Sequence, residues 1–151
     1  MRLVQIQDAV RRRTDEITAA HPEWPCRKGC DDCCRNLAAA PRVSAAEWGA
    51  IRTAIDALPG DIAEAVRERI RARASRVCPL LDTEAGACLV YEARPIACRT
   101  YGFYAEREGV LGCARIAAIA AEDRDMVWGN HAAVGSESLG SAAEFFVWMA
   151  A

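Results

Sequence analysis

The chain has 151 residues and a net charge near −2, and although 52% of it is hydrophobic, 31 residues are alanine and only 7% are aromatic. That length suits one domain with a core of its own, and the small net charge excludes a global field that would draw it to nucleic acid or to an anionic membrane. An alanine-rich, aromatic-poor mix favours packed helices over a sheet of β-branched residues.

The opening MRLVQIQDAVRRR carries charged or polar residues throughout, unlike a signal peptide. No run of about eighteen apolar residues is available to span a membrane. The expectation is a cytoplasmic chain. Leu3, Ile6, Val10 and Ile17 share one face of a helix over residues 3–20, with Arg13 interrupting the stripe. From His21 to Pro41 the periodicity is lost, and Pro22, Pro25, Gly29 and four cysteines read as a metal-binding loop. Ser44 and Glu47 form a capping box for a second helix, whose inner face is Trp48, Ile51, Ile55 and Leu58 and which Pro59-Gly60 ends. Asp61 and Glu64 repeat the signal for a third helix with Ile62, Val66 and Ile70 inward and Arg67, Arg69, Arg71 and Arg73 largely outward.

Between Cys78 and Cys113 short apolar pieces alternate with Pro79, Gly86, Pro95, Gly102 and Gly109, and Leu89–Tyr91 and Thr100–Tyr104 read as short strands. A fourth helix begins near Ile116. Ser141 and Glu144 cap a last one carrying Phe145, Phe146, Trp148 and Met149. The expected fold is mainly α. Residues 1–151 form a single small domain of helices around a cysteine-rich metal-binding centre, with short extended segments. The cysteine core covers about 24–115, between the first helix and a helical segment at 114–151.

Eight cysteines in a cytoplasmic chain are reduced thiols rather than disulfides, so they point to metal, redox chemistry or catalysis. Cys26, Cys30, Cys33 and Cys34 fall within nine residues, and Cys78, Cys88, Cys98 and Cys113 are more dispersed. Metal-holding loops place thiolates roughly two to four residues apart, because a turn of that length aims two side chains at one centre. In extended backbone the neighbours Cys33 and Cys34 would diverge, so either one is spare or they serve two centres. Two four-thiolate sites, or one site drawing on both halves, are both compatible with the spacing. The candidate metal ligands are Cys26, Cys30, Cys33, Cys34, Cys78, Cys88 and Cys98; Cys113 reads equally well as a buried apolar thiol.

The runs C-x3-C-x2-C-C, C-P-L-L-D and C-L-V-Y-E-A-R-P-I-A-C-R-T-Y-G resemble the YkgJ family of cysteine-cluster proteins, over about residues 24–115. Tyr91 to Arg99 is the most specific part, and the first spacing of three residues departs from the family's two. The resemblance implies a zinc- or iron-chelating domain. A flagellin lysine methylase has a similar iron–sulfur cluster motif in a much longer chain. That likeness implies a cofactor type and no methyltransferase activity, because no glycine-rich dinucleotide-type loop follows a strand here. The radical SAM spacing of Cys26, Cys30 and Cys33 is set aside, since the chain is too short and too helical for the barrel those enzymes need.

Four thiolates hold either structural zinc or an iron–sulfur cubane of the [4Fe-4S] kind. With no histidine beside the clusters, the choice tilts to iron–sulfur. Arg94 and Arg99 flank the second group, where they either offset thiolate charge or serve as caps and surface ion pairs. Tyr91 and Tyr101 read as core, Asp31 and Asp32 as solvated, and His21 and His131 as isolated. The expected partner is a metal ion or cluster, with no nucleic acid and no membrane. Three roles follow: structural metalloprotein, redox or electron-transfer protein, and metal-handling protein. With no nucleophile–base pair, paired carboxylates or phosphate loop in view, an enzyme is the weakest class.

Overall fold

The computed structural model describes residues 3–37, 41–72, 76–138 and 143–144. In chain order the elements begin with α1 (Leu3–Ala20), α2 (Asp32–Arg35), β1 (Arg42–Val43), α3 (Ala45–Asp56), α4 (Gly60–Ala72), β2 (Leu81–Asp82) and β3 (Ala87–Cys88). After a 3-10 turn at Tyr91–Ala93 come α5 (Ile96–Thr100), β4 (Tyr104–Glu106), β5 (Gly109–Val110), α6 (Ala114–Glu122), β6 (Gly129–Asn130), α7 (His131–Ser138) and β7 (Ala143–Glu144). The architecture is mainly α with short strands, as composition predicts. None of the described helices is long and apolar enough to cross a membrane. The chain clusters into two compact units, each made of two stretches: Met1–Arg27 with Ile96–Gly140, and Lys28–Pro95 with Ser141–Ala151.

In the first unit α1 forms where the apolar stripe predicts, burying Ile6, Val10 and Ile17. Ile6 and Val10 pack with Ile96 and Tyr104, while Ile17 joins Trp24 and Ile116 in a second cluster. Trp24 is the hub of that cluster: its ring lies 5.5 Å from Trp128 and 6.2 Å from Phe103, and its Nε1 donates to the Gly102 carbonyl at 3.1 Å. The Gly102 position requires glycine. Its φ is +89°, and a Cβ there would run into Cys26 Sγ. A three-stranded sheet pairs β4 antiparallel with β5 and parallel with β6. The helix expected from Ile116 is α6, with Cys113 at its N-cap in extended backbone. Helix α7 was not expected, because HAAVGSES carries no apolar stripe.

The second unit is organised by α3 and α4. Ser44 Oγ accepts from the Glu47 amide at 3.3 Å and Glu47 Oε2 accepts from the Ser44 amide at 2.7 Å, completing the expected capping box. Trp48, Ile51 and Ile55 pack against Ala63, Val66 and Ile70, with Val43, Leu80 and Val90 completing the core. Two details differ from the sequence reading of α4. The helix begins at Gly60, which leaves Asp61 in the first turn rather than at the cap, where its charge complements the helix dipole. Packed against α3, Ala63 takes the inner position, and Ile62 is 37% exposed. Arg73 lies outside the described residues.

The strands also sit elsewhere. Cys88 pairs with Leu81 in the β2–β3 hairpin, whose turn has Asp82 Oδ1 accepting from the Glu84 and Ala85 amides and Gly86 at φ +67°. Leu89 thus follows the hairpin and Tyr91 opens the 3-10 turn. Thr100 closes α5, so of Thr100–Tyr104 only Tyr104 is strand. Short apolar runs do not distinguish strand from helix by periodicity, and pairing settles the matter. Glu144, expected in a terminal helix, is strand paired with Arg42. Ser141, Phe145, Phe146, Trp148 and Met149 lie outside the described residues.

Candidate metal centre

The two compact units divide the cysteines differently from the two clusters in the sequence. Cys30, Cys33, Cys34, Cys78 and Cys88 belong to the second unit, and Cys26, Cys98 and Cys113 to the first. No disulfide joins any of them, and all eight are partly buried. Cys26 and Cys113 pack in the apolar cluster of Ile17, Trp24 and Ile116, and Cys98 sits on α5.

Within the second unit three cysteine-bearing segments are tied together through the backbone. Cys33 and Cys34 lie on the helical turn α2 rather than in extended chain, which corrects the premise that they diverge. Consecutive helical residues are about 100° apart around the axis, so their sulfurs can reach each other. The Cys78 amide donates to the Cys34 carbonyl at 2.6 Å, and the Leu81 amide to the Cys78 carbonyl at 3.1 Å. Cys88 enters opposite Leu81 in the hairpin. Arginines reinforce these ties. Arg35 pairs with Asp31 and donates from Nη2 to the Thr83 carbonyl at 2.8 Å, joining α2 to the hairpin turn. Arg69 donates from Nε and Nη2 to the Pro79 carbonyl at 3.1 and 3.0 Å. Arg94 lies 3.7 Å over the Tyr91 ring, and Lys28 is 5.0 Å from the same ring.

The thiols of this unit are electrostatically unlike one another. Cys33 is held down at about 7, chiefly because Cys34 hydrogen-bonds to it; the Cys33 and Cys34 amides and the Arg94 charge act the same way against the effect of burial. Burial pushes Cys78 up to about 11, and like charge from Cys88 and Cys33 adds to it, opposed by a Leu80 backbone hydrogen bond and Arg69. Burial also raises Cys88, opposed by a Val90 backbone hydrogen bond and Arg94, with Cys33 adding to the rise. Cys33, Cys78 and Cys88 therefore lie within reach of one another's charge. A groove of about 520 Å³ beside Cys78 is lined by Ile62, Arg69, Cys78, Leu81 and Leu89.

The donor chemistry fits a thiophilic metal, because these are reduced sulfurs on segments fixed by backbone hydrogen bonds. Among the described residues, however, no three His, Cys, Asp or Glu side chains are arranged so that they could hold a metal ion. The histidines are elsewhere: His131 Nδ1 is 3.0 Å from Glu106 Oε1, and His21 packs on Trp24. Asp31, read as solvated, is bound by Arg35. Arg35 and Arg69 were missed as site residues. Periodicity placed Arg69 on a wet face, and nothing local reveals that its fork meets Pro79, ten residues on.

This site and fold define a small helical domain that gathers thiols. The CxxCxxCC family, described as "Putative zinc- or iron-chelating domain", matches residues 25–128, more than half of the chain, and the chain belongs to that family. It is a metal-binding domain that works through cysteines. No curated protein and no solved structure matches it.

Proposed function

We propose that the second unit holds one metal centre through the thiolates of Cys33, Cys34, Cys78 and Cys88, with Cys30 on the same loop as a further donor. The observation that carries this reading is the grouping itself: Cys33 and Cys34 share one helical turn, the Cys78 amide donates to the Cys34 carbonyl at 2.6 Å, and Cys88 lies opposite Leu81, whose amide donates to the Cys78 carbonyl at 3.1 Å. Cys26 and Cys98 remain candidate ligands on their spacing alone. Metal coordination takes thiols as thiolates, so a bound cation offsets what burial costs at Cys78 and Cys88.

An all-thiolate set without imidazole supports an iron–sulfur centre with a redox or electron-transfer role. Structural zinc is the second reading, favoured by the backbone ties that lock Cys34, Cys78 and Cys88 in place, since such a site contributes folding energy directly. Anaerobically purified protein decides between them. Iron with matching acid-labile sulfide and a reducible brown chromophore establishes a cluster. Colourless protein with stoichiometric zinc establishes the second reading. Protein that takes neither metal, or that binds equally well as Cys33→Ser and Cys78→Ser variants, overturns the site.

A further inference from the structure

Arg69 and Arg35 engage main-chain carbonyls of the cysteine-bearing segments, as Arg67 and Arg71 do not. Arg67 and Arg71 pair with the carboxylates of Asp56 and Glu64 on the surface, where such pairs contribute little. Arg69 instead directs two N–H groups at one main-chain oxygen, that of Pro79, next to Cys78. It projects from α4, which is anchored in the core by Ala63, Val66 and Ile70, so the carbonyl it grips is referred to a rigid element. Its charge also reaches the Cys78 thiol. Arg35 does the equivalent for the other segments. Through Asp31 it grips the start of the turn bearing Cys33 and Cys34, and through Thr83 it grips the hairpin bearing Cys88. Asp31 is itself lodged against the hairpin turn, where a Cβ at Gly86 would come within 3.2 Å of its Oδ2.

Resting on the metal-centre reading above, we propose that Arg69 and Arg35 are positioning residues of that centre, setting the Cys78 loop and the α2–hairpin pair at the spacing from which their thiols bind one cation. Neither donates to the metal. Each acts through a carbonyl beside a ligand-bearing segment, a role that needs the two-pronged guanidinium and that a lysine fills only in charge.

The test uses the full chain and two probe metals. Zinc affinity is measured by competition with a chromogenic chelator, and cobalt(II) is added to read the thiolate charge-transfer band. Arg69→Gln and Arg35→Gln should each weaken zinc binding about 10- to 100-fold, the usual effect of losing a residue that orients a ligand. The cobalt–thiolate band should weaken with them, and Arg69→Lys should fall between Arg69→Gln and the parent chain. Arg67→Gln, which removes ion pairs from the same helix, should leave both readouts unchanged. An arginine that merely stabilises the fold would lower the melting midpoint and leave the cobalt spectrum of the folded protein intact. That result overturns the inference, as does zinc affinity within about threefold of the parent in both glutamine variants. If the parent chain takes up neither metal, the metal-centre reading fails and this inference falls with it. Parent-like binding by the variants sinks only the inference.

Discussion

Replacing Gly102 by alanine should cost the protein a large share of its stability, for two separable reasons. At φ +89° the backbone lies in the left-handed region, where a Cβ costs about 1–2 kcal/mol. The added methyl would also collide with Cys26 Sγ and come to 3.1 Å from Cys26 Cβ and 3.8 Å from Ile116 Cγ1. Forcing one extra carbon into a packed site costs about 1–3 kcal/mol. Relief by backbone movement is resisted because the Gly102 amide donates to the Leu111 carbonyl at 2.5 Å and its carbonyl accepts from Trp24 at 3.1 Å. The sum is about 2–5 kcal/mol against a typical total of about 5–15. Urea unfolding of the parent, Gly102→Ala, Cys26→Ala and the double variant in one buffer separates the parts. Removing Sγ should return most of the collision share, leaving the closer approach to Cβ. Gly102→Ala should therefore cost clearly less in the Cys26→Ala background, nearer the backbone share alone of about 1–2 kcal/mol. If it costs the same in both backgrounds, or less than about 1 kcal/mol in the parent, the packing described around Cys26 is wrong.

Two further outcomes concern protons. In chelator-treated protein Cys33 should alkylate half-maximally near pH 7 while Cys78 resists until the pH approaches 11, and Cys34→Ala, which removes the main cause, should move the Cys33 midpoint upward. Peptide mapping of iodoacetamide adducts across pH reads both sites, and a Cys33 midpoint at the ordinary thiol value contradicts the Cys34 hydrogen bond. Tyr104 is 4% exposed, and burial raises its phenol, with Glu16 acting the same way and Arg13 opposing. An acid whose folded pKa is raised keeps its proton longer when folded. Stability is therefore whole below the free phenol value of about 10 and declines as pH climbs through the raised one. Unfolding midpoints at stepped alkaline pH should show this decline, and Tyr104→Phe should lessen it; an unchanged slope in Tyr104→Phe means that another group is responsible.

What the sequence determined alone is whatever contiguous residues encode. The stripe of Ile6, Val10 and Ile17 and the reciprocal Ser44–Glu47 cap each lie within one helix, so their periodicity and capping chemistry could be read directly and α1 and α3 lie where expected. The cysteine spacing likewise announced thiol-based metal binding, because a loop's ability to aim two sulfurs is local. Tertiary structure alone decided the rest. The strand at Glu144 exists only through its pairing with Arg42, about a hundred residues earlier, and no local pattern records a partner so distant. Ile62 and Ala63 are both apolar, and which one faces inward follows from how α4 packs against α3. Cys26 and Cys30 look like one motif, yet the chain passes from one compact unit to the other between them. Cys33, Cys78 and Cys88, separated by a helical pair and a hairpin, come within one another's electrostatic reach. Spacing identifies thiols that a single turn can bring together; segments 55 residues apart meet in one compact unit only through the packed core of α3 and α4 and the backbone hydrogen bonds beside it.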